Sequence, residues 1–302
     1  MTQGVEKLLL ADVGAARRPL ICIEVNPPRG TDVESVLARY QGIEGIDFVN
    51  VTDSALAKMR MSGLAFGALF KSRFGIEPLV NLSCRDRNII GLQSDLLGAW
   101  SLGVRSVVAL TGDAVTVGDL PDAKGVFEVN SIGLLNILST LREGKDLAGV
   151  ELKGRPDFVS GVVVNPNARN RDAELRRLAR KKEAGAVYAL SQPVFDAELA
   201  VGFFEAAQSV GIDMFVGLLP FKSAKSFDGI SKVPGIKIAD GVVERVRSIP
   251  ESEVGELSIQ IAVEIAARVK HCVRGFHVVS GGSPLLALEL LQRLVSWSRS
   301  QA

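Results

Sequence analysis

The chain has 302 residues, 47% hydrophobic and 23% charged, which is enough to bury a full core. Its 35 basic and 34 acidic residues leave a net charge of +1, which excludes an electrostatic footprint for nucleic acid or an anionic membrane. Two histidines and three scattered cysteines (Cys22, Cys84, Cys272) exclude a His-rich metal site, a disulfide framework and a zinc knuckle, so no metal is expected.

Residues 1–13 carry Glu6, Lys7 and Asp12 rather than a signal-peptide core, and no apolar run reaches membrane-spanning length. A cytoplasmic protein is expected. From there, β-rich apolar runs alternate with helical periodicity to the end of the chain. Strands are predicted at 20–25, 47–51, 78–82, 106–110, 158–164, 187–191, 214–218 and 275–279. Helices are predicted at 32–41, 55–74, 86–102, 131–141, 172–184, 197–210, 253–269 and 285–298. Residues 111–129 and 229–250 read as long irregular stretches, the second with a short helix near 241–247. Eight strands each followed by a helix predict a single (β/α)8 TIM barrel over 1–302, and near-continuous apolar strands suit a parallel sheet covered on both faces. An open doubly wound sheet is the competing topology. Neither G-x-G-x-x-G nor G-x-x-x-x-G-K-[ST] is present, so a nucleotide or flavin would be held another way.

In a barrel the chemistry stands at the carboxyl ends of the strands. Here those ends read Glu24-Val25-Asn26, Thr52-Asp53, Ser83-Cys84-Arg85-Asp86, Thr111-Gly112-Asp113, Asn165-Pro166-Asn167, Gln192-Pro193, Pro220-Phe221 and Ser280-Gly281-Gly282. The set is polar, mostly uncharged and poor in metal ligands, which suits an organic cofactor oriented by hydrogen bonds. Glu24 stands out. It ends an apolar run that Pro27-Pro28 then stops, and desolvation there is expected to raise its pKa toward that of a general acid. Cys84 reads as a buried hydrophobe rather than a nucleophile. Arg85, Asp86 and Arg87 read as loop ion pairs and a helix cap, and Arg60-Met61-Ser62 as part of the helix after strand two. Ser280-Gly281-Gly282-Ser283-Pro284 reads as a tight turn with Pro284 in the first helical turn, the alternative being a phosphate loop.

The motifs I-E-V-N-P-P-R-G at 23–30, N-V-T-D at 50–53, R-M-S at 60–62, L-S-C-R-D-R-N at 82–88, A-L-T-G-D at 109–113 and S-Q-P-V-F-D at 191–196 resemble the methylenetetrahydrofolate reductase family, in its short bacterial form without a regulatory domain. The resemblance runs from the first strand to the eighth. It implies a flavin-dependent barrel, with FAD expected and FMN as the alternative. The implied reaction is reversible, ping-pong reduction of 5,10-methylenetetrahydrofolate to 5-methyltetrahydrofolate by NAD(P)H, a step of one-carbon metabolism that feeds methionine synthesis.

Carried over residue by residue, the resemblance makes Glu24 the general acid and Asp113 the aspartate beside flavin and pterin. Gln192 would contact both substrates in turn, and Phe221 is a substrate-side candidate. Thr52, Asn81 and Leu110-Thr111-Gly112 would border the flavin. Asn165, Glu174 and Lys181 would face its nucleotide tail; Glu174 and Lys181 read equally well as solvated helix charges. Phe195 and Asp196 read as packing and a helix cap. Departures include Asn165 and Asn81, where the family carries histidines, and Thr111, where many members carry arginine. A homo-oligomer is expected. Two other readings remain open: a flavin-free folate-binding methyltransferase barrel, and the catalytic subunit of a larger electron-transfer complex with a partner subunit.

Overall fold

In the computed structural model, eight strands close into a barrel in chain order: β1 (Leu20–Val25), β2 (Phe48–Val51), β3 (Glu77–Ser83), β4 (Ser106–Leu110), β5 (Val159–Val164), β6 (Tyr188–Pro193), β7 (Asp213–Leu218) and β8 (Gly275–Val278). The structure describes residues 18–233, 235–281 and 283–300, with side chains to Ser298; the 1–13 segment and Gly282 considered above lie outside the described residues. The predicted barrel is therefore the observed one. Among the described residues, no helix is long and apolar enough to cross a membrane.

The chain divides into two compact units. Val25–Val163 and Arg180–Tyr188 belong to the first. The described residues up to Glu24, Val164–Ala179 and those from Ala189 onward belong to the second. In the first unit β2, β3 and β4 pair in parallel, with Asn50 level with Leu79 and Asn81 level with Val108, and β4 pairs with β5. In the second unit β8 pairs in parallel with β7 and with β1. These strands are buried almost throughout because β-branched and leucine side chains on both faces are shielded from water. Glu24 is the only residue of β1 that is not fully buried.

Helix starts follow short-range chemistry. Ser62, Asn88, Asn130 and Asp196 each accept a backbone N–H of the first turn, and Ser223 and Ser226 form a capping box. Asp196 thus caps Ala197–Ala207, as its position predicts. The helix predicted over 55–74 is not one helix. Ala55–Ala57 forms a 3₁₀ turn with Ser54, Leu56 and Ala57 in left-handed conformations, and the α-helix runs Gly63–Phe74. Arg60-Met61-Ser62 therefore precedes the helix. The reason is competition for backbone donors: Leu56 N binds Asp113, Met59 N binds Asp119 and Met61 N binds the Pro28 carbonyl. The 32–41 segment likewise shortens to Glu34–Leu37 and a 3₁₀ turn. The stretch 229–250 is more ordered than predicted, with helices Ala224–Ser231 and Asp240–Arg247, whereas 111–129 holds only the 3₁₀ turn Val115–Val117.

At the start of β7, burial pushes the Asp213 carboxyl up to about 6 from 3.8, with Arg274 pulling it back only in part. The folded state holds this proton more tightly than the unfolded chain does. Its stabilising contribution is therefore full below about pH 4 and lost as pH rises through about 6. Urea midpoints for Asp213→Asn are expected to lie above wild type at pH 7.5 and to show a smaller decline between acid and neutral pH. An unchanged pH dependence would show that Asp213 is not buried as described.

Candidate active site

In the first unit, the strand ends are stitched together by polar pairs, some neutral and some ionic. Thr52 Oγ1 donates to Asn26 Oδ1 at 2.9 Å, joining the end of β2 to the residue after β1. Asn50 Nδ2 donates to Asn81 Oδ1 at 2.8 Å and to the Leu79 carbonyl at 2.9 Å. Asp53, buried, accepts from Ser83 N at 2.9 Å and from Arg87 Nη1 at 2.7 Å. Burial works against the Arg87 charge, but Asp53 and Asp95 outweigh it and hold the guanidinium above its ordinary pKa. Arg85 pairs with Asp86 and also reaches the Ser54 carbonyl. The predicted ion pairs are present, but the cap of the following helix is Asn88. Burial pushes the Cys84 thiol up to about 11, as a buried hydrophobe requires.

The β4 end is shaped by one glycine. Gly112 has φ +99°, and a Cβ there would sit 2.2 Å from Ser83 Oγ and 2.9 Å from Arg85 Cβ. Only glycine combines that conformation with that approach. It turns the chain so that the exposed Thr111 accepts Ser131 N at 3.1 Å and the exposed Asp113 accepts Leu56 N at 2.8 Å. Farther along, Asp119 accepts from Met59 N and pairs with Arg29 at 2.7 Å, tying the 111–129 stretch to the segment after β1. Lys181 is buried and donates to the Val163 carbonyl at 2.7 Å. That placement is not the solvated helix charge that the sequence also allowed.

In the second unit, Ser280 follows β8 and donates to Glu24 Oε1 from its hydroxyl at 2.8 Å and from its backbone at 3.3 Å. Gln192 is the one exposed residue of β6. Asn165 N donates to Glu174 Oε1 at 3.0 Å, and Asn165 Oδ1 accepts from Asn167 N at 3.0 Å. Glu174 is buried, so it braces the β5 end rather than facing solvent. Phe221 is also buried, its ring packed against Phe227 at 4.9 Å and Phe195 at 6.1 Å. Ser283 N donates to the Ser280 carbonyl at 2.8 Å, and the last helix begins at Pro284.

The description "Methylenetetrahydrofolate reductase" belongs to the family model that matches residues 9–294, nearly the whole barrel. The chain belongs to the methylenetetrahydrofolate reductase family. Among curated relatives, 5,10-methylenetetrahydrofolate reductase of Escherichia coli K12 is 30% identical over 223 residues, covering 70% of this chain and 69% of that protein. A probable methylenetetrahydrofolate reductase (NADPH) of Caenorhabditis elegans is 23% identical over 266 residues, covering 84% of this chain and 38% of its own length. Among solved structures, an uncharacterized Clostridium thermocellum protein that binds two copies of 5-methyl-5,6,7,8-tetrahydrofolic acid superposes with a TM-score of 0.69 at 15% identity. It covers 96% of this chain and 99% of its own, a likeness of fold.

Within this reductase family chain, the sequence alone gives Asn26 and Asp53 no site role, and Ser280 only that of a turn or, alternatively, a phosphate loop. Each stands at a strand end and bonds a residue that was singled out or its immediate neighbour. Their sequence signal is position: a polar residue within two positions of the end of an apolar strand.

Proposed function

We propose that the protein reduces 5,10-methylenetetrahydrofolate to 5-methyltetrahydrofolate with NAD(P)H as hydride donor, in the cytoplasm, the barrel carrying the whole reaction. Glu24 is the observation that supports this most directly: a carboxyl at the end of an apolar strand, aimed by two hydrogen bonds from Ser280. A flavin, FAD or FMN, supplies the two-electron relay from nicotinamide to folate when bound, in two alternating half-reactions.

The residues fit such a group by their chemistry. Thr52, Asn81 and the Leu110-Thr111-Gly112 backbone offer neutral donors and acceptors, as a ring with an uncharged hydrogen-bonding edge requires. Asn165 would meet the cofactor's tail, with Glu174 and Lys181 holding the β5 end beneath it. Glu24 delivers a proton to folate N10, the bond from N10 to the methylene carbon breaks, and the methylene group is left as the 5-iminium carbon that accepts hydride. Asp113 orients the pterin as an acceptor. The exposed Gln192 amide, with both donors and an acceptor, serves folate and nicotinamide in turn.

The purified chain is expected to be yellow, to release one flavin species on denaturation, and to oxidise NADH or NADPH with menadione or methylenetetrahydrofolate as acceptor. A colourless protein without oxidase activity overturns this reading in favour of a folate methyltransferase barrel. Nicotinamide oxidation restored only by a copurified subunit assigns the donor side to a larger complex.

A further inference from the structure

β8 carries a histidine that this chemistry does not use. Phe276 packs against Trp297 of the last helix with ring centroids 5.9 Å apart, so Phe276 faces the helix layer and Gly275 and His277 face the other side of the sheet. In register, His277 is level with Cys22 of β1 and with Gly217 of β7. Glu24 lies on the same face as Cys22, two residues nearer the strand end. Strand geometry puts its Cα roughly 8 Å from that of His277, about 6.6 Å along the strand and 4.8 Å across. His277 is 5% exposed, and neither Nδ1 nor Nε2 has a hydrogen-bond partner among the described residues. Buried polar groups are nearly always satisfied, and where protein atoms fall short an ordered water does it.

We propose that His277 is a positioning residue for Glu24, joined to it through an internal water that bonds one ring nitrogen and the carboxyl. Burial lowers the His277 pKa to about 4, so the ring stays neutral at working pH and presents one donor and one acceptor. A neutral ring can serve the carboxyl in either protonation state, donating toward the carboxylate or accepting from the acid. The other ionisable groups on these strands are Cys22 on β1, Asp213 at the far end of β7 and Arg274 at the start of β8; Glu24 alone stands at the strand ends.

The inference rests on Glu24 as the acid, and its test has a readout independent of turnover. With only two histidines in the chain, side-chain nitrogen-15 spectra give two ring systems, the exposed His271 serving as control. The His277 ring shifts are expected to follow the protonation state of Glu24 rather than the ring's own, and to become flat in Glu24→Gln. In His277→Leu, the pH profile of folate reduction is expected to move by about one unit while NADH-driven flavin reduction stays within about twofold, with partial rescue in His277→Gln. Ring shifts that are flat in wild type, or unchanged by Glu24→Gln, overturn the coupling even if His277→Leu fails to fold. Failure of the reductase reading would show instead as absent folate reduction in wild type.

Discussion

Glu24→Gln is expected to lower methylenetetrahydrofolate reduction by about 10²- to 10⁴-fold while leaving flavin reduction by NADH within about twofold. Glutamine keeps the length of the side chain and can still accept from the Ser280 hydroxyl and backbone, so the end of β1 stays where it is. What it lacks is the proton. Hydride delivery from the nicotinamide needs no acid at folate N10, whereas opening of the five-membered folate ring does. Stopped-flow measurement of each half-reaction separates the two. Equal loss of both would remove Glu24 from the role of proton donor and make it a structural residue. Ser280→Ala provides a graded companion, since it removes the shorter of the two hydrogen bonds and leaves the carboxyl in place.

Asp53→Ala is expected to cost about 3 kcal/mol of stability, because it strands a guanidinium that is largely out of water. The Arg87 side chain is 15% exposed, that of Asp53 is 5% exposed, and the two meet at 2.7 Å. Arg87 retains Asp95 in this variant, but that carboxylate is 46% exposed and is well screened. The Ser83 N–H loses its acceptor as well. Asp95→Ala, by contrast, is expected to cost about 0–1 kcal/mol. Urea unfolding of the two variants and of Asp53→Ala/Arg87→Leu tests the assignment: the double variant should recover part of the loss. A cost for Asp53→Ala no larger than for Asp95→Ala would mean that the pair contributes little.

The barrel was legible because its strands are apolar on both faces and are each followed by a clear helical period. The stop after β1 was legible because prolines cannot extend a ladder. The partnerships that give the strand ends their shape were not legible. Asn26 with Thr52, Asp53 with Arg87 and Glu24 with Ser280 join residues brought together by strand register, which no local pattern encodes. Ala55, Leu56 and Ala57 favour helix on propensity, yet carboxylates of the 111–129 stretch claim the backbone donors of Leu56 and Met59. Lys181 and Glu174 sit in a helix crowded with arginine and lysine, where a surface role is the natural expectation. Only the fold shows both of them turned against β5.

Glu24 and Ser280 are separated by 256 positions, and the β1–β8 pairing that brings them together spans nearly the same interval. Such a closure is entropically slow and cannot form until β8 has been made. During synthesis, the segments that carry Thr52, Asn81 and Asp113 emerge and can collapse long before Ser280 exists. The nascent chain can thus hold much of its polar framework while its acid remains unaimed. Chain shortening that removes β8 should leave a species with helical content and no orientation of Glu24.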